Sequence, residues 1–163
     1  MTVAASTISD TARQCGIVGA GGAGFPTYVK LKGSADTFIL NAAECEPLLH
    51  KDKELMKAFP NEIVTGICQS MDAVGARMGY IGIKYKYREV IEMLRPCLPS
   101  HLQIFELGDF YPAGDEFILV YEVTGRVIQP RQIPPNVSVL VQNVETMLNL
   151  AKAKPVTTKY LSR

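Results

Sequence analysis

Short apolar runs and amphipathic stretches take turns along the chain. Residues 37–40, 80–83 and 137–141 are brief apolar runs, and 102–107 alternates apolar with polar side chains, so all four read as strands. Between them the spacing turns helical. Residues 52–59 have helical composition, and Pro60 suits the first turn of a longer helix in which Ile63, Ile67, Met71, Val74 and Met78 recur at helical spacing. Residues 88–94, 114–123 and 143–151 supply three more helices, the last with Asn143 as its cap. A polar helical turn or two covers 7–14, and Pro26 opens another turn that runs to residue 31. Strands alternating with helices predict a three-layer α/β fold with a largely parallel sheet. In such sheets ligands sit at the carboxyl ends of the strands. Three polar elements fall there: Asn41 after the first strand, the loop from Tyr111 to Glu116 after the third, and Asn143 after the last.

The stretch from Gly16 to Thr27 stands outside this alternation, with five glycines between residues 16 and 24 followed by Phe25 and Pro26. Gly19, Gly21 and Gly24 match the G-x-G-x-x-G spacing of dinucleotide-binding turns, which normally follow a full strand. Here only Ile17 and Val18 precede them. A loop with many free backbone N–H groups still cradles phosphate, although a purely structural turn uses the same residues. Phe25 offers a ring face for stacking, or a core side chain. Lys30, a helical turn beyond Pro26, is either a point charge for phosphate or an ordinary surface lysine. Glu44 and Glu46 follow the loop by roughly 20 residues, where dinucleotide binders place a ribose-binding acid. A solvated acidic loop reads the same way. Asp115 and Glu116 lie at a helix N-terminus, where the macrodipole favours acids in any case.

Four segments carry a resemblance when taken in order: GAGGAGFPT (19–27) with Lys30, Asn41-Ala42-Ala43-Glu44-Cys45-Glu46-Pro47, Tyr111-Pro112-Ala113-Gly114-Asp115-Glu116, and Asn143-Val144-Glu145-Thr146. Together they resemble the flavin and NADH site of one family. Its members are the 51 kDa-type flavoprotein subunit of respiratory complex I, the C-type subunit of the Rnf electron-transport complex, and the cobalamin reductases of propanediol metabolism. The last two are the nearer branch. The resemblance implies a Rossmann-like FMN-binding domain. It implies FMN contacts from Gly19, Gly21, Gly22, Gly24, Lys30, Asn41, Glu44, Tyr111, Gly114, Asp115, Asn143 and Thr146, and NADH contacts from Phe25, Glu46 and Glu116. The implied chemistry is hydride transfer from NADH to FMN, with electrons passed singly to iron–sulfur centres outside this chain. The cofactor carries such chemistry, so no side chain is assigned a catalytic role. Carboxylates at the ribose would repel the 2′-phosphate of NADPH. Two departures bear on pyridine-nucleotide binding more than on flavin binding. Ala20 stands where the complex I proteins have arginine, and residues 129–137 lack their lysine and aromatic pattern. Two alternatives stay open: a flavin domain with another donor or acceptor, such as cobalamin or a reductase partner, and a non-catalytic nucleotide-binding or assembly module.

The 163 residues are 47% hydrophobic, which suits one domain with a real core. A net charge of +1 argues against nucleic acid as a partner. The first ten residues lack the features of a signal peptide, and no apolar run nears the roughly 18–20 residues of a membrane span, so a cytoplasmic protein is expected, at a membrane only through partner subunits. Cys15, Cys45, Cys68 and Cys97 are widely spaced without C-x-x-C, and His50 and His101 stand apart, so no metal or iron–sulfur site is expected in the chain itself. Residues 84–88 mix basic and aromatic side chains in the manner of a solvated face or docking patch. The expected organisation is an FMN/NADH domain over 1–151 and a linker over 152–163, leading to a downstream iron–sulfur region of a longer protein.

Overall fold

The computed structural model of the chain describes residues 7–46 and 48–154. Pro47 of the acidic motif, residues 1–6 of the expected domain and residues 155–163 of the expected linker lie outside the described residues. Four strands, β1 (Thr37–Ala42), β2 (Met78–Lys84), β3 (Leu102–Leu107) and β4 (Val139–Asn143), form one sheet in the order β3-β2-β1-β4, with every pairing parallel. Central β1 is apolar on both faces, the usual signature of a parallel strand covered from two sides. Phe38, Leu40 and Ala42 pack on one face with α1 (Ile8–Gln14), α3 (Lys51–Ala58), α4 (Pro60–Val74), α5 (Arg88–Leu94) and α7 (Val144–Lys152). Ile39, Val139 and Val141 face the other way, toward Leu119 and Val120 of α6 (Glu116–Thr124). The expected three-layer α/β architecture is therefore present. A short α2 (Thr27–Lys30) follows the glycine loop.

The layers meet closely where side chains are smallest. Gly66 of α4 lies against the backbone of α7, so near that a β-carbon there would overlap the Met147 carbonyl. Ser70, one turn on, donates to the Gly66 carbonyl and reaches the Met147 sulfur at 3.3 Å.

Three boundaries differ from the sequence expectation. The long helix stops at Val74, because Gly75 adopts φ +76 and closes it as a left-handed cap, so Met78 already belongs to β2. The last strand begins at Val139, since Pro134–Val137 form a 3-10 turn ended by Ser138 at φ 58. The helix expected from Gly114 starts at Glu116 with Asp115 as its cap.

The chain steps outward from β1 to β2 to β3, then returns over α6 to place β4 on the far side of β1. This reversal leaves a crevice beyond the carboxyl ends of β1 and β4, the switch point at which open α/β sheets bind ligands. Asn41 and Asn143 are register partners there.

Candidate functional site

A cavity of about 630 Å³ occupies that crevice, within the usual range for cofactor pockets. Its walls are the glycine loop, the acidic segment after β1, the start of α3, the 111–116 loop and the end of β4. Of the fifteen residues the sequence nominates, fourteen line it: Gly19, Gly21, Gly22, Gly24, Phe25, Lys30, Asn41, Glu44, Glu46, Tyr111, Gly114, Asp115, Glu116 and Asn143. Thr146 lies beneath the loop.

The glycine loop is not a strand–turn–helix element. It is a narrow-necked loop, closed where Val18 bridges Pro26 antiparallel, Gly19 N–H donates to the Phe25 carbonyl at 2.8 Å and Thr27 N–H to the Ile17 carbonyl at 3.1 Å. Gly22 at φ +115 and Gly24 at φ +60 hold conformations that L side chains rarely adopt. Two contacts press the loop onto the start of α7. Ala20 N–H donates to the buried Thr146 hydroxyl at 3.0 Å, and Gly21 lies so close to Asn143 that a β-carbon would stand 3.4 Å from its Cβ. Among the described residues, no acceptor is bonded to the N–H groups of Gly21, Gly22, Ala23 or Gly24. Four backbone donors in a row at the edge of a cavity make an anion cradle.

Lys30 reaches the cavity wall, donating to the Val141 carbonyl at 3.0 Å and standing 3.6 Å from Glu116. Its ammonium is 5.9 Å from the centre of the Phe25 ring. Phe25 and Tyr111 are both exposed, Tyr111 to 80%, so neither is a core side chain. Asp115 accepts from Phe117 and Ile118 N–H at 3.0 and 3.1 Å and caps α6. Asn143 caps α7 through Glu145 N–H at 2.9 Å.

The acidic segment is divided. Glu46 is exposed at the cavity wall, whereas the Glu44 side chain is only 2% exposed. Glu44 accepts from Asp52 N–H at 3.1 Å and pairs with Lys53 at 3.6 Å, anchoring the start of α3. Asn41 spends its amide internally as well. It donates to the Gly114 carbonyl at 2.8 Å and accepts from Ala43 N–H at 3.2 Å. Cys45 completes the tie, its sulfur accepting the Gly114 N–H at 3.1 Å.

Sequence reasoning passes over Lys51, Asp52 and Cys45, which also line the cavity. Asp52 is buried and accepts from the Asn143 amide at 2.9 Å. Burial pushes its carboxyl above the ordinary carboxylate value, with Glu44 and Glu145 adding to the rise and Lys51 and Asn143 opposing it. Lys51 bonds Glu145 at 2.8 Å, which lifts its own pKa. A lysine and aspartate opening a helix look like ordinary first-turn charges; only the fold turns them toward the crevice.

The Nuo51 FMN-binding domain family model matches residues 12–152. The chain belongs to this family. Citrobacter freundii cobalamin reductase PduS is 45% identical to this FMN-binding domain over 97% of the chain, which spans 36% of that protein. The C-type subunit of the Na(+)-translocating ferredoxin:NAD(+) oxidoreductase complex of Acetobacterium woodii is 35% identical, with 97% of this chain covering 38% of it. A chain of an NAD+-reducing [NiFe]-hydrogenase, in its H2-reduced state, superposes with a TM-score of 0.77 at 25% identity, covering 90% of this domain and 30% of that chain. The domain thus spans a little over a third of the curated relatives it matches. Those relatives are oxidoreductases, and the fold is that of the 51 kDa-type flavoproteins, as the sequence resemblance implies. Among the described residues, no helix is long and apolar enough to cross a membrane.

The cavity fits FMN on its own chemistry. A phosphate group calls for N–H donors and a cation, and Gly21 to Gly24 and Lys30 are both among the lining residues.

Proposed function

We propose that this domain holds FMN at the β1/β4 switch point and takes reducing equivalents from NADH, for delivery to iron–sulfur centres outside this chain. The observation that carries the reading is that residues 21–24, whose N–H groups have no acceptor among the described residues, line the same cavity as Lys30. Bound FMN would supply a ring able to take a hydride and release electrons singly. The protein's part is to bind, orient and select. Lys30 and the loop donors neutralise the phosphate, and the exposed Phe25 and Tyr111 offer aromatic faces to planar rings. Glu46 and Glu116 present carboxylates at the open side, suited to ribose hydroxyls and hostile to a 2′-phosphate. Glu116 also neutralises Lys30 while no anion is bound, so ligand phosphate must compete with it.

The 45% identity to a cobalamin reductase favours a second reading, in which the electrons leave toward a corrinoid. Both readings share FMN and differ in the acceptor. The test is anaerobic mixing of the FMN-loaded domain with NADH or NADPH while the visible flavin band is followed. Bleaching by NADH alone supports the proposal. A band untouched by NADH removes the pyridine nucleotide from it and leaves the donor to be sought among protein partners.

A further inference from the structure

Around Asp52 the charges do not balance. Three carboxylates come together: Glu44 from the acidic segment and Asp52 from α3, which line the cavity, and Glu145 from α7 beside them. Two lysines serve them, and each is closer to another acid. Lys51 holds Glu145 at 2.8 Å and stands 3.9 Å from Asp52 Oδ1, while Lys53 pairs with Glu44 at 3.6 Å. Lys53 is further held by His50 Nδ1 at 2.7 Å and by the Tyr87 ring, 4.3 Å from its centre. On the open walls, Glu46 adds a further negative charge and Lys30 is engaged with Glu116. Glu44 Oε2 and Asp52 Oδ1 are both buried without a hydrogen-bond partner. Lys53 stands 3.6 Å from the first, whereas Lys51, 3.9 Å from the second, is bonded to Glu145, so Asp52 is the less compensated carboxylate. It is 6% exposed, its Oδ2 accepts from Asn143, and its buried Oδ1 has no hydrogen-bond partner. A buried carboxylate oxygen with no hydrogen-bond donor and its lysine no nearer than 3.9 Å is where a proton costs least.

We propose that Asp52 is the proton-binding residue of this pocket: its carboxyl takes a proton from solvent when an anionic ligand fills the cavity and returns it when the ligand leaves. The inference rests on the FMN reading above. A phosphate-bearing ligand adds negative charge and displaces water, and both effects favour the neutral acid. Protonation at Oδ1 leaves the Asn143 bond to Oδ2 in place, so the cap of α7 and the glycine loop stacked on it keep their geometry. The pocket thereby adjusts its charge without moving its walls. Asp52 is a positioning residue that works through Asn143.

The decisive comparison is between the wild-type domain and Asp52→Asn, which keeps the shape and the acceptor for Asn143. FMN binding is measured by titration calorimetry in buffers of different ionisation enthalpy, from pH 4.5, just above the ordinary carboxylate value, to pH 8. The phosphate's own titration is common to both proteins and cancels. The wild type should take up more protons per FMN than the variant. If filling the cavity raises the carboxyl pKa by about one unit, wild-type affinity should fall up to tenfold more across that range than the variant's. Equal proton uptake and parallel affinity curves would overturn the proposal.

Thermal unfolding without ligand gives a second readout. A carboxyl whose folded pKa lies above its unfolded value costs stability at pH above both, and that cost vanishes below both. Asp52→Asn should therefore raise Tm at pH 8 and change it little at pH 3, below both values. A Tm difference independent of pH would overturn the proposal even if FMN did not bind. Failure of FMN binding alone would count against the functional reading instead.

Discussion

Replacing Thr146 by valine tests how the glycine loop is held. The hydroxyl is fully buried and its oxygen accepts the Ala20 N–H at 3.0 Å. Valine keeps the shape and removes the acceptor. A buried donor left unsatisfied costs about 1–3 kcal/mol. Ala20 is half-buried, so water can reach part of the site and the lower end, about 1–1.5 kcal/mol, applies. The loss falls on the folding-down of one loop rather than on the core, because the neck bonds from Gly19 to Phe25 and from Thr27 to Ile17 remain. It should therefore appear as FMN affinity weakened about 5–10-fold, with a Tm change of no more than about 2–4 °C. Thr146→Ser keeps the acceptor and should bind FMN within about twofold of wild type. The assay is quenching of FMN fluorescence alongside thermal unfolding. Wild-type affinity in the valine variant, or equal losses in both variants, would refute the claim that this bond seats the loop.

Four further outcomes follow from the contacts described. Gly66→Ala drives a methyl into the Met147 carbonyl where two helix backbones touch, so about 3 kcal/mol or more should be lost, seen as a fall in Tm of about 6–12 °C or as failure to fold. Lys30→Ala should weaken FMN binding about 10–100-fold, as expected for a charge-assisted contact, while circular dichroism stays unchanged. Asp36, whose carboxyl is held low by hydrogen bonds from Arg126 and then Thr37, contributes stability above its unfolded pKa that is lost as pH falls through the lower folded value. Asp36→Asn should accordingly lower Tm at pH 7, with the gap closing toward pH 3. Asp115→Ala removes the cap of α6 and should cost about 1 kcal/mol in denaturant unfolding.

Much of this architecture is legible in the sequence because the signals are local. The apolar run at Phe38-Ile39-Leu40, the spacing of Ile63, Ile67, Met71 and Val74, and the capping residue Asn143 all act within a few positions of themselves. The misplaced boundaries are also local in origin: Gly75 and Ser138 take left-handed conformations, and a helical period that runs on to Met78 says nothing about where the backbone reverses. The site is legible in part. Glycine richness announces a loop with free backbone N–H groups, but the neck that shapes it depends on Val18 meeting Pro26, and no spacing rule encodes that. The resemblance implies ligand contacts for Thr146 and Asn41; one seats the loop and the other spends its amide on Gly114 and Ala43. Asp52 stays out of view in the sequence because its setting depends on a contact with Asn143 at the end of β4, 91 residues away.

The most direct test of the FMN site is a paired equilibrium titration of the purified, folded domain with FMN and with riboflavin. The two ligands share the ring and differ by the phosphate that the glycine-loop N–H groups and Lys30 are placed to hold. Saturable FMN binding, at least about tenfold tighter than riboflavin binding, is the expected result. Equal affinities, or no FMN binding at all, would contradict the assignment of this cavity.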